Sequence, residues 1–548
     1  MTDTATHTGS AAGQAPATTV GHSVMATLRS YGIDTIFGIP GTHNLELYRP
    51  LRDLGIHPVT TRHEQGAGYA ADGWSQRTGL PGVVLTTSGP GLLNALSAAG
   101  TAYCESRPML VISPGVPRGE EGSDRGALHE TKDASGAAAA IMYASHRVTS
   151  GAEAVAMIHD AFELFRYGRP RPIHLEIPLD VLEGPSDSTA EQERAVPWRA
   201  YHEADPRAVA RAAELLGRST SPVILAGGGA SAAPEALREL AEALDAPVVT
   251  TMNGKATLDE SHPLSVGSEI RLPAAQRLAN EADVLLVIGS KVGDAELWFE
   301  SLRPSGTVIR IDLLASQMQV NLASDIQLQG HSQRVLRQLL DAPQLWRTPG
   351  DGAARAATAR TAAREQGRQI AGGLAALAEQ VAAGMPEGAI LSGDSSQVTY
   401  LGTASFVPLA QPRSFLYTPA YATLGYGLPA AIGAKVADPE SPVLCVLGDG
   451  ALMFAVQEFM TAVEQGLDLV VVVADNGGYG EIRQNELDRA IQPVGVDLAQ
   501  PDWPLLVQAF GGTGRAVREP GALAEAIEAA FVAGGLQLIH VPTGIFAG

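Results

Sequence analysis

Residues 441–476 read SPVLCVLGDGALMFAVQEFMTAVEQGLDLVVVVADN. Two apolar runs, PVLCVL and LDLVVVVA, flank a helix-like stretch, ALMFAVQEFMTAVEQG. Neither run alternates apolar with polar residues. Strands of that kind are buried on both faces, as in parallel sheets covered by helices. The stretch is therefore a βαβ unit. Gly448-Asp449-Gly450 closes the first strand and Asp475-Asn476 the second, with twenty-four residues between Gly450 and Asp475. Open α/β sheets bind ligands beyond the carboxyl ends of their strands. Asp449 and Asn476 are predicted to face one another across that edge. A carboxylate, an amide oxygen and a nearby main-chain carbonyl suit a hard divalent cation. Magnesium takes six oxygens and commonly completes its set from phosphate and water. Gly448 and Gly450 let the backbone approach phosphates closely.

The same texture recurs along the chain, in PGVVLTT (81–87), RPMLVIS (107–113), SPVILAGGG (221–229) and ADVLLVIGS (282–290). Alternating strands and helices over the whole length predict an α/β protein. Two composition breaks divide it, the polar stretch at 183–205 and the stretch at 347–367, which opens Pro/Gly-rich and becomes an Ala/Arg helix pattern. The expected organisation is a disordered tail over 1–18, a first domain over 19–185, a central domain over 200–345, a linker over 346–367 and a third domain over 368–548. Each domain is expected to be a doubly wound parallel sheet. The first and third segments share a rhythm, a Gly-rich early turn and then GPG or GLP before a helix.

Composition excludes several classes. Among 548 residues, 45% are hydrophobic and 18% charged, too apolar for a disordered chain. Lys plus Arg is 38 and Asp plus Glu 59, a net charge of −21. That balance argues against a nucleic-acid binder and a polybasic membrane anchor. No run reaches the roughly 18 apolar residues of a membrane span. Two cysteines, Cys104 and Cys445, and an N-terminus without an apolar leader predict a cytoplasmic protein with no disulfide framework.

The GDG, its spacing and the following Asn resemble the thiamin diphosphate fingerprint of the acetolactate synthase and pyruvate decarboxylase superfamily. That pattern ends in Asn-Asn, whereas this chain has Asp475-Asn476. The resemblance implies Asp449, Asn476 and the main-chain carbonyl of Gly478 as ligands of Mg²⁺, with Gly448, Gly450, Gly478 and Tyr479 around the diphosphate. A second motif, TTRHEQGAGYAADGWSQRTG (60–79), resembles the glutamate motif of the family and places Glu64 on the catalytic glutamate. A carboxylate bonded to the aminopyrimidine ring favours the tautomer that deprotonates the cofactor's reactive carbon. On its own, Glu64 reads equally as an acid favoured by a helix N-terminus. FGIPGTHNLELYRPL (37–51) resembles the family loop lining the site, and supplies Gly41, Thr42 and His43. TTSGPGLLNALSAAGTAYCESRPMLVIS (86–113) resembles the pyrimidine-domain core and supplies Pro90 and Asn94. TPAYATLGYGLPAAIGA (418–434) places Leu424 where the family has an apolar wedge between the cofactor rings.

The resemblance implies a domain order of pyrimidine-binding, central Rossmann-like and diphosphate-binding. It also implies a homo-oligomer, dimer or tetramer, whose site lies between subunits. FAD is not expected in the central domain, because Gly227-Gly228-Gly229 lacks a fitting dinucleotide pattern. His43 and His129 are expected to face a 2-oxo acid substrate as catalytic groups that relay protons, while His63 is expected to orient Glu64. The segments GIPGTHNLELYRPL, LHETKD, LSGDSSQVTYLG, GYGEIRQ and QPVGVDLAQPDW resemble those of decarboxylases of 5-guanidino-2-oxopentanoate. They imply non-oxidative decarboxylation by an ylide and enamine route, with Glu481 and Gln484 placed to meet a cationic substrate end. Arg483 stands against that substrate. A carboligase of acetolactate synthase type is the alternative. A non-catalytic cofactor-binding protein would require a lost glutamate or metal ligand, and both are present.

Overall fold

The computed structural model describes residues 18–298, 300–345 and 350–546. Apart from Thr18, the tail expected over 1–18 lies outside the described residues, as do positions 346–349 of the expected linker.

Three six-stranded sheets follow one another along the chain, each with parallel pairing throughout its ladders. The first contains β1 (Thr35–Gly38), β2 (His57–Thr60), β3 (Gly82–Leu85), β4 (Met109–Gly115), β5 (Ala144–Arg147) and β6 (Pro172–Pro178). Its spatial order is 2-1-3-4-6-5. The second contains β7 (Val223–Ala226), β8 (Val248–Thr250), β9 (Ser265–Gly267), β10 (Val284–Ile288), β11 (Thr307–Asp312) and β12 (Ile326–Gln329), in the order 9-8-7-10-11-12. That is the doubly wound dinucleotide-fold order. The third contains β13 (Ile390–Gly393), β14 (Phe415–Leu416), β15 (Val443–Gly448), β16 (Leu469–Asp475), β17 (Thr513–Ala516) and β18 (Leu536–Pro542), in the order 14-13-15-16-18-17. Numbered from its own first strand, the third sheet repeats the order of the first. The rhythm shared by the two sequence segments reflects a common topology.

The all-apolar strand reading holds at β16. Val470–Val473 are almost completely buried between β15 and β18. Burying each valine contributes roughly 1.5–3 kcal/mol, and a charge such as Val472→Asp would be left without a partner in the sheet centre. Residues 352–371 form one helix that packs on the helix of residues 273–280.

The first and third sheets are joined by two helices, Glu64–Thr78 and Gly427–Ala437, packed backbone against backbone. A Cβ at Gly73 would strike the Ala430 carbonyl, and one at Gly433 would strike the Ala70 carbonyl. Small residues at these positions allow the close approach. The buried Arg107 guanidinium ties three segments together. It pairs with Asp72 and donates to the Tyr417 carbonyl (2.7 Å) and to Asn253 Oδ1 (3.3 Å). Tyr426 OH donates to the same Asp72 carboxylate (2.7 Å). Among the described residues, no helix is long and apolar enough to cross a membrane.

Candidate active site

In the strand order 2-1-3, the connections leave β1 and β3 in opposite directions. This opens a crevice at the carboxyl ends of these neighbours, the switch point where open sheets hold ligands. The loop after β1 carries Gly41, Thr42 and His43, and the loop after β3 carries Thr86 to Gly89. Gly41 donates its N–H to Asn44 Oδ1 (2.8 Å), and Thr42 is exposed. His43 Nδ1 lies 2.6 Å from Ser88 Oγ. His129 arrives from the loop after β4, and its Nδ1 lies 3.4 Å from the same hydroxyl. The two imidazoles meet edge to face with centroids 5.2 Å apart. Burial, and then the proximity of His129, lower the His43 pKa below 6.5. His129 has a φ of +60°, in the left-handed region that is costly for a side-chain-bearing residue. A Cβ at Gly89 would strike the His129 carbonyl, so the glycine makes room for this turn.

Glu64 is the first residue of the helix Glu64–Thr78 and is buried. His63 caps that helix by accepting the Gln65 N–H at Nδ1 (3.1 Å). Pro90 opens the next helix, Pro90–Glu105, where a missing N–H costs nothing. One turn on, Asn94 Nδ2 donates to Glu64 Oε2 (3.0 Å). The other carboxylate oxygen faces Gly91, where a Cβ would sit only 3.2 Å away.

The second group lies at the matching edge of the third sheet. β15 and β16 pair with Gly448 beside Ala474, so Asp449 and Asn476 emerge side by side. The Asn476 N–H donates to Asp449 Oδ1 (3.4 Å). Asp449 Oδ2 is buried with no hydrogen-bond partner. Burial, and then the charge of Asp475, push this carboxyl up to about 6. The Gly478 N–H reaches Asn476 Oδ1 (3.3 Å), and the Tyr479 N–H bonds the Val496 carbonyl (2.9 Å). A Cβ at Gly450 would touch the Tyr479 ring at 3.0 Å. Ser396, after β13, accepts the Gly448 N–H (3.0 Å). Leu424 is half-buried in the loop before the helix Gly427–Ala437, where the neighbouring Thr423 hydroxyl meets Tyr69 OH (2.9 Å).

Asp475, the departure from Asn-Asn, has its own partners. Its Oδ2 lies 2.8 Å from His540 Nε2, and its Oδ1 accepts the Gly477 N–H (2.9 Å). The carboxylate thus braces the turn that carries Asn476 and Gly478.

An orphaned, buried carboxylate oxygen beside an amide oxygen and a backbone carbonyl fits a magnesium ion bound through phosphate oxygens. Among the described residues, no cluster of three or more His, Cys, Asp or Glu is arranged for a metal. A mixed donor set of this kind needs none.

Glu481 is the second residue of the exposed helix Gly480–Asp488. Its Oε2 accepts from Gln397 Nε2 (2.9 Å) and Tyr400 OH (3.0 Å). Burial, and then Glu481, raise the Tyr400 pKa, so its hydroxyl stays a donor. Gln484 instead donates to Asp488 Oδ1 (2.8 Å) along the helix surface. Ser88, Ser396, Gln397 and Tyr400 were not singled out from sequence, although each lies inside a quoted segment.

Within one chain the two groups stay apart. Among the described residues, no hydrogen bond or ion pair joins Glu64, His43 or His129 to Asp449, Asn476 or Glu481. A cavity of about 1020 Å³ lies elsewhere, between Arg107, Arg166, Lys291, Asn253 and the Gly228-Gly229 turn.

Known proteins match this layout. Residues 18–159 match the N-terminal TPP binding domain of thiamine pyrophosphate enzymes, residues 209–339 the central domain and residues 397–541 the C-terminal TPP binding domain. The chain is 39% identical over 532 residues to the probable 2-ketoarginine decarboxylase AruI of Pseudomonas aeruginosa, covering 95% of this chain and 94% of that one. It is 30% identical over 544 residues to a probable acetolactate synthase large subunit of Methanocaldococcus jannaschii, covering 95% and 91%. It is also 30% identical over 537 residues to acetolactate synthase isozyme 2 large subunit of Escherichia coli, covering 94% of each. With all three domain models matched in order and near-complete coverage of these relatives, the chain belongs to the thiamine pyrophosphate enzymes.

Proposed function

We propose that the protein is a thiamin diphosphate- and magnesium-dependent decarboxylase of a 2-oxo acid that releases carbon dioxide and an aldehyde. The observation that carries this reading is the pairing of two buried carboxylates with different surroundings. Glu64 is held by Asn94, while Asp449 has an unpartnered oxygen. The similarity to a probable 2-ketoarginine decarboxylase supports a 2-oxo acid with a guanidinium end.

Asp449, Asn476 and the Gly478 carbonyl would hold the cation and through it the diphosphate, with Gly448, Gly450 and Tyr479 shaping the turn. Leu424 would support the bent cofactor. Gly41, Pro90 and Asn94 would line the pyrimidine side. When bound, thiamin diphosphate supplies a nucleophilic carbon and an electron sink for the bond to the departing carboxylate. Glu64, with one oxygen on Asn94 and the other over Gly91, would exchange a proton with the pyrimidine ring of a bound cofactor. His43 and His129 both turn Nδ1 to Ser88. Their Nε2 atoms are then available to exchange a proton with the substrate. A His43 pKa below 6.5 keeps this ring neutral at pH 7 and able to accept one.

A second copy of the chain would bring the two groups together. Large apolar residues near both, among them Leu45, Leu93, Met453 and Phe454, are 43–52% exposed in the single chain, the kind of surface that a partner covers. The site would then lie between subunits of a dimer or tetramer.

The test is carbon dioxide release from a panel running from pyruvate through branched and aromatic acids to 5-guanidino-2-oxopentanoate, with and without thiamin diphosphate and Mg²⁺. Cofactor-dependent release is expected. No release from any acid while the cofactor binds would overturn the reading. The acetolactate synthase relatives favour a second reading, carboligation. Product analysis with pyruvate and an aldehyde acceptor decides it, because only a carboligase yields a carbon–carbon coupled product.

A further inference from the structure

Glu481 differs from an ordinary exposed helix acid in how it is held. It follows the Asn476–Tyr479 turn directly, and Gly480 brings it back towards the same edge. A Cβ at Gly480 would strike Asn476 Nδ2 and lie 3.2 Å from Gln397 Oε1, so the two amides and this backbone share one small space. Gln397 Nε2 (2.9 Å) and Tyr400 OH (3.0 Å), both from the segment after β13, grip one carboxylate oxygen of Glu481. Among the described residues, the other oxygen has only a long contact, 3.5 Å, from Asn485 Nδ2. It faces solvent with its lone pairs open. Gln397 Oε1 likewise has no protein donor among the described residues. A side chain ordered before binding loses less freedom when a ligand meets it.

The expected obstacle, Arg483, has a carboxylate of its own beside it. Its Nη1 lies 3.5 Å from Asp497 Oδ1 on the exposed side of the helix. No cation among the described residues pairs with Glu481.

We propose that Glu481, pre-set by Gln397 and Tyr400, is the specificity-determining carboxylate that receives the cationic end of the 2-oxo acid, a planar guanidinium. The proposal rests on the decarboxylase reading above. Two acceptor oxygens, on Glu481 and Gln397, suit the planar fork of N–H donors on a guanidinium better than the single point of an ammonium. Tyr400 and Gln397 are positioning residues that act through Glu481.

The experiment compares 5-guanidino-2-oxopentanoate with its neutral urea isostere, 5-ureido-2-oxopentanoate, in carbon dioxide release by the wild-type holoenzyme and by Glu481→Gln. The two acids have the same length and shape and differ in charge. For Glu481→Gln, kcat/KM on the guanidino acid is expected to fall roughly 100-fold, the consequence of removing one partner of a charge pair that substrate and the second subunit would close off from water. The ureido acid is expected to change by less than about threefold, which also shows that the variant is folded. Tyr400→Phe leaves the carboxylate in place and frees its rotamer. It is expected to raise KM for the guanidino acid alone, by up to about tenfold. An equal loss on both acids, or an unchanged preference in both variants, overturns the proposal. Absence of release from every acid of the panel above by the wild-type enzyme with cofactor bound overturns the decarboxylase reading and the proposal with it. Release from neutral acids alone overturns only the proposal.

Discussion

The first and third sheets have the same strand order, and each places polar residues at the same crevice, between its first strand and its third. In the first sheet, His43 from the β1 loop meets Ser88 from the β3 loop. In the third, Ser396 from the β13 loop meets Gly448 at the end of β15. One topology thus carries two chemistries. The first crevice is furnished with imidazoles and a carboxylate bonded to an amide, groups whose partners are already in place. The third presents a buried carboxylate oxygen with no partner at all. A site that moves protons must hold its groups in fixed protonation geometry. A site that binds a cation must keep an oxygen free for it. On the proposed reading, this difference would place proton chemistry in one sheet and anchoring in the other.

The strongest way to break this division is Glu64→Gln. Turnover is expected to fall by about 100- to 10,000-fold, the range for loss of a positioned acid–base group. Binding of thiamin diphosphate with Mg²⁺, followed by titration calorimetry, is expected to persist. Near-normal turnover would remove Glu64 from the chemistry.

The converse variant is Asp449→Asn. Without cofactor, the wild-type enzyme buries this carboxylate oxygen unsatisfied, at a cost. The cofactor-free variant is therefore expected to melt no lower than wild type. A ligand at 100 times its Kd stabilises a native protein by about 2.7 kcal/mol. That gain on adding thiamin diphosphate and Mg²⁺ is expected in wild type and lost in Asp449→Asn. A variant that keeps it would show that Asp449 does not hold the cation.

Much of this was legible in the sequence for a physical reason. Buried parallel strands are near-continuous apolar runs, so β15 and β16 announced themselves, and the residues directly after them could be assigned to one edge. Glu64 could be placed by its motif, but the sequence carried no sign that Asn94, thirty residues on, would hold it. The residues missed were small polar ones. LSGDSSQVTYLG contains several hydroxyl and amide side chains. Which of them reaches Gly448 and which reaches Glu481 depends on the irregular wide turn at Val398–Thr403, a conformation with no sequence period to reveal it. For Gln484, expected beside Glu481 in the same segment, the sequence did not reveal the partner its amide takes, Asp488 one turn along the helix. Asp475, the departure from Asn-Asn, gave no sign in the sequence of its partner His540, which β18 brings beside it.

A finer test exchanges one hydroxyl in each crevice. Ser88→Ala removes the atom that both imidazoles face, and Ser396→Ala removes the acceptor of the Gly448 N–H. Each deletes hydrogen bonds worth about 1 kcal/mol. Ser88→Ala is expected to lower kcat about tenfold with cofactor affinity unchanged. Ser396→Ala is expected to weaken cofactor binding by a similar factor with kcat at saturation preserved. The same phenotype from both would mean that the crevices do not divide the work.

The smallest expected effect concerns how the two sheets respond to acid. The third residue of β6 is His174, fully buried between Ser113 Oγ (2.8 Å) and Ser145 Oγ (2.7 Å). The third residue of β18, its counterpart, is Leu538. Burial, and then the neighbouring His146, lower the His174 pKa from 6.5 to about 3. The native first sheet therefore binds fewer protons than the unfolded chain between these values. The stability contributed by neutral His174 is complete above 6.5 and is lost as pH falls towards about 3. The loss approaches about 1.4 kcal/mol for each pH unit in the middle of that window and is roughly 1 kcal/mol over the first unit below it. In His174→Asn, which keeps a hydrogen-bonding side chain of smaller size and does not titrate, the thermal midpoint is expected to be lower than wild type at about pH 7.5. The gap should narrow on acidification to about pH 5.5. A gap independent of pH would mean that His174 is held for its shape alone, and that the first sheet is no more sensitive to acid than the third.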